Sequence, residues 1–97
     1  MPITTTPFDP AQHLTSEQAQ AELLADAFES GNETYIKTAL ATVARAKGMS
    51  AVAKDADVSR QALYQGLSEA GDPRLSTLVG VVKALGFTMT IRTEAAP

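Results

Sequence analysis

Residues 49–67 constrain the fold of this chain most, because they predict two short helices joined by a tight turn. Ser50 is a candidate N-cap of the first helix, since its side-chain oxygen can accept a hydrogen bond from a backbone amide that lacks a helical partner. Asp57 interrupts the helical pattern, and Ser59 is a candidate N-cap of the second helix. Ala53 supplies the small side chain that two steeply crossed helices need at their closest approach.

The second of these helices has two chemically different faces. Leu63 and Leu67 recur four residues apart and are expected to be buried, while Val58 fills the corner between the two helices. The opposite face is polar and contiguous, and it consists of Arg60, Gln61, Tyr64 and Gln65. This pattern is typical of the recognition helix of a DNA-binding helix-turn-helix. The alternative is a surface helical hairpin that does not contact DNA.

Three further segments carry apolar residues at helical spacing and predict helices at about residues 16–30, 33–47 and 73–85. Ser16 or the Thr before it is a candidate N-cap of the first of these helices. Gly48 can end the second helix in a left-handed conformation. The chain is therefore expected to be all-α over most of its length.

The last of these helices has start signals at Asp72 and Pro73 and a stop signal at Gly86. Its spacing predicts a core face on one side of the helix. That face is aliphatic and consists of Leu75, Leu78, Val79, Val82 and Leu85.

The C-terminal residues 87–92 alternate apolar and polar side chains and contain β-favouring Thr and Ile, which predicts a short β-strand. A single strand leaves its backbone donors and acceptors unpaired, so its mate is either residues 3–6 or the same strand of a second copy. We expect a homodimer with contacts from Phe87, Met89 and Ile91. One recognition helix reads few base pairs, and two-fold repressors place two such helices about 34 Å apart on a pseudo-palindromic operator.

The composition fits a single domain. We divide it into an N-terminal arm with an acidic helix (residues 1–31) and a helix-turn-helix domain that includes the C-terminal strand (residues 32–97). The chain contains no Cys, which excludes a disulfide framework and a thiolate metal site. No apolar run is long enough to cross a membrane, and the first residues lack the features of a signal peptide. A soluble, cytoplasmic protein is therefore expected.

The charge is distributed unevenly, although the net charge is only −3. Residues 1–34 hold six acidic residues and no Lys or Arg, whereas residues 35–97 hold all eight basic residues and five acidic ones. Within the first segment the repulsion between carboxylates is uncompensated, which favours a basic partner. Apolar anchors for this partner are available at Phe8, Leu14, Leu23 and Phe28. The alternative is that the acidic residues keep the domain soluble and the apolar residues form ordinary core.

Patterns for catalysis or metal binding are weak. His13 is the only histidine and shares i, i+4 spacing with Asp9 and Glu17, but Pro10 interrupts this segment, which also lacks a helical apolar stripe. No nucleophile has a base beside it, and there is no glycine-rich phosphate loop. We therefore expect no enzyme activity, no metal site and no cofactor.

Residues 35–87 contain the motifs VARAKGMS, VSRQALYQGLSEAGDPRLSTL and VVKALG. Through these motifs the segment resembles the addiction-module antidote family, HigA-like antitoxins with a lambda-repressor-like (Cro/C1) helix-turn-helix. It implies a lambda-repressor-like, all-α bundle of about five helices, with an extra acidic N-terminal helix and a short C-terminal strand. It also implies an antitoxin that neutralises a basic RelE/HigB-like RNase toxin and represses its own operon. The alternatives are a stand-alone helix-turn-helix repressor without a toxin, and a helical interaction module that has lost DNA binding.

Three residues of the recognition helix are expected to read bases. Arg60 can pair with guanine and Gln61 with adenine in the major groove, and Gln65 is a second reader one turn later. Tyr64 either contacts a phosphate through its hydroxyl or is a half-buried ring that props the helix. Ser59 can donate its hydroxyl to a phosphate, helped by the helix N-terminus.

Further contacts depend on the resemblance alone. It places Lys54 and Arg74 near phosphates, and a solvated charge is the alternative for each. The sequence also departs from the family pattern at two positions. Asp57 stands where Gly is usual, and Asp adopts a left-handed backbone less easily than Gly. Ala51 stands where Gln is frequent, so one expected phosphate contact is missing.

Overall fold

The computed structural model describes residues 16–94 of the chain. This part contains five helices: α1 (Glu17–Ser30), α2 (Glu33–Lys47), α3 (Met49–Asp55), α4 (Arg60–Gly66) and α5 (Leu75–Ala84). No strand occurs between residues 16 and 94, so the prediction of an all-α fold with about five helices is confirmed for this part. None of these helices has the length and apolar character that crossing a membrane requires.

Three helices begin at side-chain caps, and two of these caps, Ser16 and Ser59, are predicted from the sequence. The Ser16 hydroxyl oxygen accepts a hydrogen bond from the Ala19 amide at 3.1 Å, and Asn32, in the break between α1 and α2, accepts one from the Tyr35 amide at 2.9 Å. Ser59 Oγ accepts from the amide of Ala62 at 2.9 Å. These bonds satisfy backbone donors that the first helical turn leaves without partners, and they fix the starts of α1, α2 and α4.

The other two helices begin elsewhere than predicted. α3 begins at Met49 with Gly48 before it, and no side chain caps it, so the assignment of Ser50 as N-cap is wrong. Met49 is the first residue of the helix, and its side chain is buried in the core. α5 begins at Leu75, and Pro73 remains in the preceding loop. That loop is held by the Lys37 side chain of α2.

The core lies around α3, which packs against α2, α4 and α5, while α1 packs against α2. Ala53 is 2% exposed and Leu63 is fully buried, so the small residue and the aliphatic corner of the α3–α4 pair lie where the sequence predicts. Gly80 of α5 faces Ala56, whose carbonyl oxygen would lie 3.5 Å from a Cβ atom at position 80. The small residues Gly80 and Ala56, which directly follows α3, allow this close packing. The α3–α4 pair is thereby held against the rest of the domain.

The core face of α5 differs from the predicted one. Val81, Val82 and Leu85 are buried, but Leu75 is 73% exposed, so the prediction that Leu75 is a core residue is wrong. Leu75 is the first residue of the helix and lies outside the core, whereas Leu78, three residues later, packs against it. Leu75 is an exposed aliphatic side chain on the surface of this part of the chain.

The predicted C-terminal strand at residues 87–92 is not formed, because residues 87–94 have no regular secondary structure. A strand persists only when a neighbouring strand accepts and donates its backbone hydrogen bonds. No such neighbour occurs between residues 16 and 94, and the expected mate at residues 3–6 lies outside the described residues. Instead, this segment contacts α1 through an ion pair between Arg92 and Glu29, with 3.2 Å between nitrogen and oxygen.

Candidate nucleic-acid interface

The turn between α3 and α4 depends on a left-handed residue. Asp57 has φ 61°, and it is the one non-glycine residue with positive φ among the described residues. The amide of Val58 donates to the carbonyl oxygen of Ala53 at 3.0 Å, and the Asp57 amide donates to that of Lys54 at 3.1 Å. Asp adopts this conformation more readily than most residues do. Asp57 thus adopts the left-handed conformation that the turn requires, at the position where the resembling family usually has Gly.

The outer face of α4 is exposed and polar, as predicted. Arg60, Gln61, Tyr64 and Gln65 are exposed there. Leu63 is fully buried and Leu67 is 6% exposed, so the helix is anchored by its opposite face. Ser59 uses one oxygen lone pair to cap the helix, and a hydroxyl can donate its proton at the same time. Its hydroxyl therefore remains suited to a phosphate oxygen at the start of α4.

Arg60 and Tyr64 contact each other on this face. The guanidinium carbon of Arg60 lies 5.5 Å from the centre of the Tyr64 ring, one helical turn away. Tyr64 is 45% exposed, so its ring lies outside the core but is not fully solvated. The arrangement has the geometry of a cation–π contact.

Gln65 and Arg74 line the same concave surface. It is a shallow cavity of about 510 Å³ between the end of α4 and the loop that follows it, and its polar lining includes Ser68, Asp72 and Thr77. Arg74 is exposed directly before α5, which places a cation beside the outer face of α4. Lys54 is exposed on α3. The fold therefore brings Gln65 and Arg74 together, and Lys54 is placed on the neighbouring helix.

The loop that carries Arg74 is held by two residues that sequence patterns did not indicate. Lys37 of α2 donates hydrogen bonds from Nζ to the carbonyl oxygens of Glu69 (2.8 Å) and Gly71 (2.7 Å). A Cβ atom at Gly71 would lie 2.5 Å from the carbonyl oxygen of Gly66 and closer still to that of Gln65. No local pattern indicates Lys37, because its partners follow more than thirty residues later in the chain.

The three residues predicted to form dimer contacts differ in exposure. Phe87 is half-buried against the core, and Lys47 Nζ lies 5.5 Å from the centre of its ring. Met89 is 44% and Ile91 is 97% exposed. Phe87 and Met89 also line a cleft of about 250 Å³ with Val79, Val82 and Lys83 of α5. Phe87 thus packs against the core of its own chain, while Met89 and Ile91 are exposed to solvent.

Two acidic residues of α1 pair with basic residues from outside the acidic segment. Glu17 lies 3.9 Å from Lys47 and Glu29 lies 3.2 Å from Arg92, so residues of the segment 35–97 partly compensate the charge at the two ends of the helix. The Tyr35 hydroxyl donates a hydrogen bond to Asp26 at 2.6 Å. That bond raises the pKa of Tyr35, with desolvation and the negative charge of Asp26 adding to the effect. The repulsion that appears uncompensated within residues 1–34 is reduced by the fold.

The residues expected to contact a toxin are only partly described. Leu23 and Phe28 lie half-buried on α1 and pack against the core. Phe8 and Leu14 lie outside the described residues, as do Asp9 and His13 of the weak metal pattern. Glu17, the third residue of that pattern, is the partner of Lys47. Each of Leu23 and Phe28 presents part of its side chain to solvent and uses the rest for packing.

Comparison with known proteins gives one family and one similar protein. The model of a family described as probable addiction module antidote protein matches residues 4–93. A protein from Haemophilus influenzae, named only as uncharacterized, is 40% identical over 85 residues, which cover 88% of this chain and 88% of that protein. No solved structure matches the chain.

Proposed function

The chain belongs to the family of probable addiction module antidote proteins, and from this premise we propose that it is a DNA-binding antitoxin that represses its own toxin–antitoxin operon. An antidote has a toxin as its partner, and we propose a basic toxin of the RelE/HigB-like type. The family description is that of a regulatory antidote and not of an enzyme.

The α3–α4 pair is the observation that supports DNA binding. α4 is capped by Ser59 and buries Leu63, so Arg60 and Gln61 are presented at the start of a rigidly seated helix. A recognition helix of a lambda-repressor-like helix-turn-helix reads base edges with residues near its N-terminus. Arg60 and Gln61 have the donor and acceptor groups for guanine and adenine. Ser59, Gln65, Lys54 and Arg74 complete the proposed DNA contacts, and Tyr64 lies beside Arg60 on the same face.

The operator is proposed to be pseudo-palindromic and read by a homodimer. Met89 and Ile91 are exposed apolar residues on a segment whose backbone has no strand partner between residues 16 and 94. Leu75 adds a third exposed aliphatic side chain, at the start of α5. Covering these side chains with a second copy would bury apolar surface and satisfy backbone groups. The burial of apolar surface and the pairing of backbone groups both favour association of two copies.

The acidic helix α1 is the proposed toxin-binding element. Glu22 is exposed on this helix, where its carboxylate accepts a hydrogen bond from the side-chain amide of Gln18 at 3.4 Å and forms no ion pair among the described residues. Leu23 and Phe28 offer partly exposed apolar side chains on the same helix, and Phe8 and Leu14 are the further anchors proposed from the sequence. Carboxylates around apolar anchors fit a basic protein surface, because opposite charges steer association and apolar groups stabilise the complex.

A DNA-binding assay tests the regulatory part of the proposal. The full chain is titrated against a duplex from the promoter upstream of its gene and against a scrambled duplex of equal length, at several salt concentrations. Preferential binding to the promoter duplex is expected. Equal affinity for both duplexes would contradict sequence-specific repression and would favour a helical module that does not read DNA.

A co-purification assay tests the antitoxin part with the protein encoded beside this chain. A stable complex and loss of toxicity on co-expression are expected. Glu22→Lys should weaken the complex and Lys54→Glu, a charge reversal on the proposed DNA side, should not. A neighbour that neither binds nor is toxic would favour the stand-alone repressor, and equal effects of the two variants would exclude α1 as the toxin site.

A further inference from the structure

Tyr64 is a large aromatic residue at an unusual place, the exposed face of a helix that would contact DNA. Its ring is 45% exposed and contacts the guanidinium of Arg60 at 5.5 Å. Among the described residues its hydroxyl makes no hydrogen bond, and Arg60 forms no ion pair. Among the described residues, the polar interaction of the Arg60 guanidinium is therefore its contact with the Tyr64 ring.

This contact bears on how well Arg60 can serve as a reader of bases. Arg has a long side chain with many rotamers, and ordering such a side chain on binding costs conformational entropy. A guanidinium held over an aromatic ring already occupies few of these rotamers, and the planar group also stacks well on the ring. A guanidinium that is ordered before binding reaches the bidentate geometry for guanine at a lower entropic cost.

We propose that Tyr64 is a positioning residue for Arg60, and that its ring, not its hydroxyl, contributes to specific DNA recognition. The inference rests on the proposed function, in which Arg60 reads a base. It changes the role of Tyr64 from a phosphate contact to a residue that acts through Arg60. Removal of the ring should then weaken binding to the operator while binding to unrelated DNA is unchanged.

The test compares two substitutions that differ in what they remove. Tyr64→Phe removes the hydroxyl and keeps the ring, and Tyr64→Leu removes the ring. The full-length variants are titrated against the promoter duplex and the scrambled duplex. Tyr64→Phe should keep nearly the wild-type affinity, while Tyr64→Leu should lose about threefold to tenfold on the promoter duplex only. Equal losses for both substitutions would show a hydroxyl contact and overturn the proposal.

A double-mutant cycle shows whether the ring acts through Arg60. In an Arg60→Ala background, Tyr64→Leu should cause no further loss of specific affinity, whereas in a Gln61→Ala background its effect should add in full. A full effect of Tyr64→Leu in the Arg60→Ala background would overturn the proposal. The experiment distinguishes failure of this proposal from failure of the proposed function. If Arg60→Ala loses specific binding and Tyr64→Leu has no effect, Arg60 reads DNA but Tyr64 does not position it.

A measurement without DNA checks the contact itself. The aromatic ring should shift the side-chain proton resonances of Arg60 upfield in the wild-type chain and in Tyr64→Phe. The shift should be absent in Tyr64→Leu, and circular dichroism should show unchanged helix content because Tyr64 lies outside the core. Identical Arg60 resonances in all three proteins would contradict the contact and with it the proposal.

Discussion

At the level of single residues, Arg60 and Lys54 are expected to contribute to DNA binding in different ways. Arg60→Ala should lower the affinity for the promoter duplex by about 1–3 kcal/mol, because a bidentate base contact is lost. Lys54→Ala should weaken binding to all sequences alike and reduce the slope of affinity against salt by about one, as loss of a single phosphate contact does. Titrations at several salt concentrations separate the two. If Arg60→Ala behaves like Lys54→Ala, Arg60 contacts a phosphate and not a base.

Tyr35 is expected to titrate at a higher pH than a free tyrosine. Its hydroxyl donates a hydrogen bond to Asp26 at 2.6 Å, which raises its pKa above the usual value of about 10. The chain has two tyrosines, so in a Tyr64→Phe background phenolate absorbance reports Tyr35 alone. Asp26→Ala should lower the pKa of Tyr35 towards the usual value. An unchanged pKa in Asp26→Ala would contradict the hydrogen bond as its cause.

The same shift has a consequence for stability against pH. Because the folded-state pKa of Tyr35 is raised, the bond stabilises the folded chain fully below the unfolded-state pKa of about 10. The stabilisation is lost as the pH rises through the raised folded-state pKa. Tyr35→Phe should therefore lose stability relative to wild type at neutral pH, and this difference should shrink in strong alkali.

Gly71 is expected to be intolerant of any side chain. A Cβ atom there would meet the carbonyl oxygens of Gln65 and Gly66, which are backbone atoms and cannot rotate away. Gly71→Ala should therefore destabilise the fold by about 1–3 kcal/mol, measured by thermal or chemical unfolding. Gly66→Ala is the matched control, since a Cβ atom there meets Pro73 at an ordinary 3.5 Å. Equal stability of the two variants would show that the loop relaxes freely.

At the level of elements, α2 holds the loop between α4 and α5 in place. The Lys37 ammonium bonds two loop carbonyl oxygens, at 2.8 and 2.7 Å, and a hydrogen bond to a charged group stabilises more than a neutral one. Lys37→Met should cost about 1–3 kcal/mol of unfolding free energy and should increase amide exchange in residues 68–74. Arg45→Met, an exposed position on the same helix, serves as the control. Unchanged exchange in the loop would contradict the clamping role of Lys37.

The first helix is joined to the body by packing more than by charge. Leu24 is 6% exposed and Ala27 is fully buried, so α1 contributes to the core. The ion pair Glu29–Arg92 is largely exposed, and exposed pairs contribute about 0–1 kcal/mol, whereas the Lys47 side chain of the pair Glu17–Lys47 is only 25% exposed. A basic partner could therefore replace Arg92 at Glu29 at little cost. α1 is at once a structural element and the proposed surface for a toxin.

At the level of the whole molecule, the oligomeric state is expected to depend on the exposed C-terminal side chains. Ile91 is 97% exposed, so Ile91→Asp should leave the fold of one copy intact while placing a charge in a dimer contact. The variant should be monomeric by light scattering at concentrations where the wild-type chain is a dimer. Thr90→Asp adds the same charge at the neighbouring exposed position as a control. An unchanged dimer in Ile91→Asp would place the interface elsewhere, with exposed Leu75 as the next position to examine.

The sequence alone determined which segments are helical, because the signals for helix formation act within a few residues. The predicted caps at Ser16 and Ser59 lie three residues from the amides they bond, and the left-handed Asp57 turn is equally local. Apolar spacing was sufficient to distinguish the buried face of α4 from its exposed polar face. The all-α fold with about five helices and the exposure of Arg60, Gln61, Tyr64 and Gln65 follow from these local rules, and their contacts with DNA stay predictions.

Tertiary structure decided what depends on partners distant in the sequence. Lys37 bonds a loop more than thirty residues away, and acidic residues at the two ends of α1 pair with Lys47 and Arg92, which follow much later in the chain. The exposure of Leu75 depends on where the core ends, and a strand at residues 87–92 needs a neighbour that its own alternating pattern cannot supply. The physical reason is that helical hydrogen bonds close within four residues, whereas these contacts exist only once distant segments have been brought together by packing.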